Sequence, residues 1–307
     1  MALRSNLDVV AVGNLNIDLI CKMKRLPGGD EKLLMEEFAR RLGGGAANFA
    51  VACSKLGLRS GLVGCVGDDE FRREIIEDLR REKVDISHIR VVDASTGLVF
   101  SFSTLKGDHF LAAYRGANLH LKPEDIDDEY IKGVKLVHAS SVTLEVAIVV
   151  GSEARKLGVL ASLDIGAELA ELNKGKLLKA LELFDICFMN RRVYRKIFKA
   201  KPSKGGILKN FPSGLKILVV TMGPKGALAT DGAQVVFSPA HKVKIRDTTG
   251  AGDAFAAAFD AVWLQSGDIK RAIKYAAAEA AIKIQHVGAR EGLSTFKELE
   301  EFVRAHQ

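Results

Sequence analysis

Cysteine, glutamine and long apolar runs are all scarce in this chain. Its four cysteines (Cys21, Cys53, Cys65 and Cys187) are widely spaced, with no CxxC pair and no Cys/His cluster at zinc spacing. That spacing argues against a disulfide framework and for a reduced, cytoplasmic protein. The seven histidines are scattered and form no HExxH, so a dedicated transition-metal site is not expected. No run approaches the roughly 18 apolar residues that span a bilayer, so a membrane partner is not expected either. Residues 1–12 read as a first strand rather than a signal peptide. The phosphate loop GxxxxGK[ST] is absent, and no GxGxxG follows the first strand, which argues against P-loop chemistry and a dinucleotide-dependent oxidoreductase. Glutamine is rare beside plentiful Lys, Arg and Glu, a bias found in heat-adapted proteins.

What the chain does have is ordinary for a globular protein: 48% hydrophobic and 27% charged residues over 307 positions. The net charge of +7 suits anionic partners, either nucleic acid or small molecules such as nucleotides. The densest basic run covers residues 191–201. Apolar residues recur through it at helical spacing, so it reads as a surface helix with a solvated basic face, and no nucleic-acid partner is expected.

Strand-like and helix-like runs alternate. Residues 8–12, 61–66, 135–139, 161–164, 186–189 and 217–221 are short, β-branched and apolar, as buried parallel strands are. Helical runs lie between them, at 46–56, 69–82, 144–157 and 175–184. The pattern predicts a parallel sheet covered on both faces. Two regions, 14–37 and 97–114, break it with alternating residues. The second reads as a hairpin turning at Gly107-Asp108. Together they predict a small inserted sheet whose exposed face carries Phe100 or Phe102, Leu111 and Leu33, fit for a lid or a dimer contact. The last third is helical, at 253–265, 269–286 and 295–305, and rich in alanine.

Three segments carry chemistry. In Arg246-Asp247-Thr248-Thr249-Gly250-Ala251-Gly252-Asp253, two glycines flank Ala251 just before a long helix. Free N–H groups at a helix start, with the macrodipole, make an anion site. On spacing alone Asp253 is either a cap of that helix or a general base. Its pairing with Asp247 favours the second, one carboxylate taking a proton while the other organises metal-bound water. In Gly43-Gly44-Gly45-Ala46-Ala47-Asn48 the glycines are either a simple turn or a place of close backbone approach. In Val219-Val220-Thr221-Met222-Gly223-Pro224-Lys225-Gly226 a buried strand runs into a glycine-rich loop, where open α/β sheets bind ligands.

In this order and at these separations, DTTGAGDAF, GGGAAN and the Gly288-Ala289 pair resemble the ribokinase-like (PfkB) family of carbohydrate and nucleoside kinases over nearly the whole chain. The resemblance implies a three-layer α/β/α domain over residues 1–307 with a mainly parallel sheet. A β-sheet lid would be inserted from about 14–40 and 95–116. It implies an ATP-dependent kinase acting on a hydroxymethyl group of a sugar or nucleoside. Asp253 would be the base, and the amides of Gly250, Ala251 and Gly252 the anion hole. Asp18, Gly43, Gly44 and Asn48 would hold the sugar. Thr221, Gly223, Gly226, Thr249 and Asn190 would line the nucleotide. Mg²⁺ would be held indirectly through water on Asp247. K⁺ would lie near Asp247, Thr249 and Gly288. The apolar strands of the lid, read by themselves, point to a homodimer formed through it.

Two departures stand out. The family's Asn-x-x-Glu appears as Asn190-Arg191-Arg192-Val193, without the acid. The acid that ribokinases carry after the strand at 136–139 has no clear counterpart among Ser140, Ser141 and Glu145. Arg115, after the hairpin, is either a solvated surface residue or an anion ligand. In the second case a sugar phosphate or sugar acid becomes the better substrate, with ADP as an alternative donor. A more distant alternative is a non-catalytic nucleotide-binding protein.

Overall fold

The computed structural model describes residues 7–104 and 109–306. In chain order the strands are β1 (Val9–Gly13), β2 (Asn16–Met23), β3 (Glu37–Gly43), β4 (Ser60–Gly67), β5 (Asp85–Val92), β6 (Gly97–Thr104), β7 (His109–Tyr114), β8 (Leu136–Ser140), β9 (Leu160–Asp164), β10 (Ile186–Asn190), β11 (Ile217–Thr221), β12 (Ala227–Thr230) and β13 (Val235–Ser238). The helices are α1 (Gly45–Lys55), α2 (Glu70–Arg81), α3 (Asp128–Ile131), α4 (Leu144–Leu157), α5 (Lys174–Leu181), α6 (Arg191–Phe198), α7 (Lys204–Lys209), α8 (Ala251–Ser266), α9 (Ile269–Lys283) and α10 (Phe296–Ala305).

Nine strands form one sheet in the order β13-β12-β11-β10-β9-β8-β1-β4-β5. The strands from β5 to β11 pair in parallel, and β12 and β13 are antiparallel at one edge. Every residue of β1 is buried. Its alternation divides the core, with Val9 and Ala11 in one apolar cluster and Val10 and Val12 in the other. The first cluster takes in α1, α2, α8, α9 and α10, and the second takes in α4 to α7. The result is three layers. Runs of alanine at 256–258 and 276–278 let α8 and α9 approach closely. The basic run at 191–201 forms α6, which buries Val193, Tyr194 and Ile197, the helix expected there. All four cysteines are buried and none forms a disulfide. Among the described residues no helix is long and apolar enough to cross a membrane.

The small sheet runs β3-β2-β6-β7. β3 ends at Gly43, so it leads straight into the glycine run. The proposed turn at Gly107-Asp108 lies outside the described residues. The expected exposed face is corrected by the register. Phe100 and Phe102 pair with Ala112 and Phe110, and Leu111 pairs with Ser101. Paired residues share a face, so the two phenylalanines and Leu111 lie on opposite sides of the sheet. Leu33 is half-buried, and its neighbour Leu34 is the exposed one. Row by row, Ile17, Leu19, Leu42 and Leu98 fall on the phenylalanine side and pack on the core, while Asp18 falls on the other.

Candidate functional site

The strands β1, β8, β9, β10 and β11 all end at one edge of the large sheet, and chain reversals there gather the polar residues. Gly13, Ser140 and Asp164 are aligned across β1, β8 and β9. Asn190 and Thr221 are aligned across β10 and β11. The glycine run closes over this edge. A Cβ on Gly43 would stand 2.3 Å from Asp18 Oδ1, and one on Gly44, whose φ is +98°, 2.3 Å from the Asn14 carbonyl oxygen. One on Gly45 would stand 2.5 Å from Ser140 Oγ and 3.5 Å from Asp253 Oδ1. Ordinary van der Waals spacing leaves no room for those atoms. The run is therefore a place of close approach, not a simple turn.

Asp253 lies in the first turn of α8 but does not cap it: the N-cap is Gly250, and no side chain bonds to the exposed amides. Instead, Asp253 Oδ2 accepts from Asn48 Nδ2 at 2.7 Å. Asn48 Oδ1 in turn accepts from Arg290 Nε at 3.1 Å. Arg290 is buried and also donates to Asp78 Oδ2 at 2.6 Å and to the Gly43 carbonyl at 3.0 Å. One chain of contacts thus joins α2, α1, β3, α8 and the segment after α9. Burial pushes the Asp253 carboxyl up to about 6, against the Asn48 donor and the charges of Lys283 and Arg290. Asp18 rises to about 7, chiefly by burial, with Arg290 opposing and the charges of Asp253 and Asp247 adding.

Asp247 is tied into the loop before α8. Its Oδ1 accepts from Thr249 N (2.9 Å) and Oγ1 (2.8 Å), and its Oδ2 accepts from Gly288 N (2.8 Å). Burial would raise this carboxyl, but those donors and Lys283 outweigh it and hold it below the usual value. Gly250 sits at φ +75°, where a Cβ would meet the Ala289 carbonyl oxygen at 2.4 Å. Of the three amides expected in the anion hole, Ala251 N already donates to the Thr248 carbonyl at 3.2 Å. Those of Gly250 and Gly252 have no protein acceptor among the described residues.

Around the expected nucleotide position, Asn190 caps α6, its Oδ1 accepting from Arg192 N (2.9 Å) and Val193 N (3.0 Å). Thr221 ends β11, and a one-turn helix at Gly223–Lys225 follows. Gly223 has φ +59° and Gly226 has φ +84°. A Cβ on Gly226 would meet the Ser238 carbonyl oxygen at 2.1 Å, so the turn needs glycine there.

Sequence reasoning missed three groups. Asp164 ends β9 with a carboxyl raised to about 7 by burial and by the Asp253 charge. Arg290 and Lys283 follow from the helix that packs against α8. Among the described residues no three His, Cys, Asp or Glu side chains are grouped to hold a metal. A Mg²⁺ ion bound mainly by phosphates and water needs only one or two carboxylates, which the hard oxygens of Asp164 and Asp247 can supply.

Arg115 is mostly buried, 18% of its side chain exposed. It donates to the Ser141 carbonyl at 3.1 Å and pairs with Glu168, and among the described residues its buried Nε has no acceptor. Ser141 stands beside Gly45, so Arg115 reaches the rim of the cleft that Asp253 occupies. Arg41, which pairs with Asp18 in register, forms an ion pair with Glu291 at 3.0 Å.

Comparison with known proteins shows the family and the fold. The description "pfkB family carbohydrate kinase" matches residues 6–295. The ATP-dependent ribose-1-phosphate kinase of Halopiger xanaduensis is 32% identical over 92% of this chain and 93% of its own. The deoxyribokinase of Salmonella typhi is 30% identical over 98% of this chain and all of its own (100%). The structure of Arabidopsis thaliana ribokinase complexed with ribose and ATP superposes with a TM-score of 0.86 at 24% identity, covering 97% of this chain and 99% of that one, which shows the fold.

Proposed function

The chain belongs to the pfkB family of carbohydrate kinases, and on that premise we propose that it moves the terminal phosphoryl group of ATP to a hydroxymethyl oxygen of a phosphorylated pentose, with Asp253 as general base. The observation that carries the base assignment is that Asp253 is bound by Asn48 and not by the amides of its own helix. Its Oδ1 is left for the acceptor hydroxyl.

Asp253 takes the proton of that hydroxyl as the oxygen attacks the terminal phosphorus. The bond to the bridging oxygen breaks, and the nucleoside diphosphate leaves. The amides of Gly250 and Gly252, at the positive end of α8, face the transferring group, and Ala251 joins them once its long bond to Thr248 is exchanged. Asp18, Gly43, Gly44 and Asn48 hold the sugar hydroxyls, a carboxylate and an amide supplying both acceptors and donors. Thr221, Gly223, Gly226, Thr249 and Asn190 frame the nucleotide. A Mg²⁺ ion, when bound, would supply positive charge to the phosphates, with Asp247 and Asp164 as the carboxylates that would hold it. In this reading Asp164 would serve for the acid missing at Val193, and Asp247 would order the metal's water. The K⁺ position implied at Asp247, Thr249 and Gly288 has an ammonium beside it, since Lys283 donates to the Asp247 carbonyl. The reaction we infer does not need added K⁺.

A phosphorylated sugar is favoured over a free one because Arg115 offers a buried, unpaired Nε at the cleft rim, and because the relative from Halopiger acts on ribose-1-phosphate. Ribose-1-phosphate is the first substrate to try. A second copy of the chain is the inferred partner of the lid, where Phe38, Phe110 and Tyr114 are exposed. The test is a panel of ribose-1-phosphate, ribose, deoxyribose, nucleosides and sugar acids, each with ATP and with ADP. Turnover confined to uncharged sugars would reject the phosphate reading, and turnover with ADP alone would reject the donor.

A further inference from the structure

Lys283 ends α9 with a side chain that is 0% exposed, one of the largest fully buried side chains among the described residues. Its single hydrogen bond there runs from Nζ to the main-chain oxygen of Asp247, at 3.3 Å. Among the described residues no carboxylate lies within ion-pair distance of it. An ammonium so placed is expensive to bury, because one long bond to a carbonyl does not replace its water. A chain that keeps it there against that penalty needs its charge or its grip.

The surroundings say what that charge meets. Four carboxylates act on Lys283: Asp247, Glu291, Asp253 and Asp18. Arg290 is the other buried cation of the cluster. Burial lowers the Lys283 ammonium from its ordinary value while those four acids hold it up. The carbonyl it holds belongs to the residue that opens the turn leading to Gly250 and Gly252. The same turn is fixed from the other side by Asp247 Oδ2 on Gly288 N.

We propose that Lys283 is the positioning residue of the phosphate-facing turn: its buried ammonium clamps the Asp247 carbonyl from beneath and sets where the amides of Gly250 and Gly252 point. This rests on the reading of that turn as the anion hole. The ammonium also supplies a fixed positive charge below the reacting groups, in a place water does not reach, so it needs no reorganisation when charge moves during transfer.

The test compares Lys283→Met and Lys283→Ala with wild type and with Asp253→Asn. Methionine fills nearly the same volume without the charge, so Lys283→Met should melt at the same temperature as wild type or higher. Its kcat should nonetheless fall about 100-fold, the usual loss for a small misplacement of catalytic groups. KM for the sugar should hold, and the acid limb of the pH–rate profile should move to higher pH, because Asp253 loses a neighbouring cation. Methylammonium should raise the kcat of Lys283→Ala and leave wild type unchanged. A Lys283→Met enzyme with wild-type kcat and pH profile overturns the proposal. So does a lost rate matched by a lower melting temperature with no response to methylammonium. If Lys283→Met is normal while Asp253→Asn is dead, only the role of Lys283 falls. If Asp253→Asn is also normal, the reading of the turn falls with it.

Discussion

Arg290 Nε donates to Asn48 Oδ1, and that bond decides which way the Asn48 amide faces. With its oxygen held by the guanidinium, its nitrogen is left to donate to Asp253 Oδ2. The Asp253 carboxylate is thereby oriented by a residue with no hydrogen bond to it. Asn48→Ala should lower kcat/KM by about 10–100-fold, the worth of a hydrogen bond to a charged group. Arg290→Met should instead destabilise the fold by about 3 kcal/mol, because it breaks a buried ion pair with Asp78. Steady-state kinetics and chemical denaturation separate the two.

Asp253→Asn keeps the shape and the Asn48 neighbour but removes the proton acceptor. Its kcat should fall roughly 10²–10⁴-fold, the usual range for loss of a general base. Nucleotide binding, followed by calorimetry, should persist.

The same carboxyl sets the pH dependence. Asp253 acts ionised, so kcat/KM should rise with pH through about 6 and stay high above it. Stability of the unliganded protein moves the other way. Asp18 and Asp164 titrate at about 7 in the folded chain, above the roughly 4 of an unfolded aspartate. Groups raised in this way contribute stability that is fully present below about 4 and is lost as pH rises through about 7. The melting temperature should therefore fall between those limits, and Asp18→Asn should flatten the curve while abolishing sugar binding.

Arg115→Met distinguishes acceptors. KM for ribose-1-phosphate should rise about 10–100-fold, as loss of a charge-assisted bond implies, while KM for ribose stays put. Equal effects on both would return Arg115 to a structural role through Glu168 and Ser141.

Much of this was written in the sequence. The buried strands show as β-branched runs, and α2 opens at Asp69, which caps it by accepting from Phe71 N. The glycine run and the GAGD turn show because backbone crowding permits nothing larger. The faces of the small sheet were misread because the pairing of Phe100 with Ala112 depends on a partner strand, and period alone cannot supply it. Lys283 and Glu279 left a fainter trace. They lie on the same stripe of α9 as Ala272 and Ala276, at the i, i+4, i+7, i+11 spacing of a buried face, and all four are 0% exposed. Two charges on an otherwise alanine stripe were the signal that something polar waited inside. Asp164 gave none, since one acid at a strand end looks like any other turn residue.

Asn48 and Asp253 stand 205 residues apart in sequence, and Arg290 and Asn48 stand 242 apart. Asn48 lies early in the chain and Asp253 late, and the guanidinium that orients the Asn48 amide comes later still. No partial chain ending before Arg290 can assemble this centre. A variant cut before Arg290 should therefore still form its sheet yet transfer nothing.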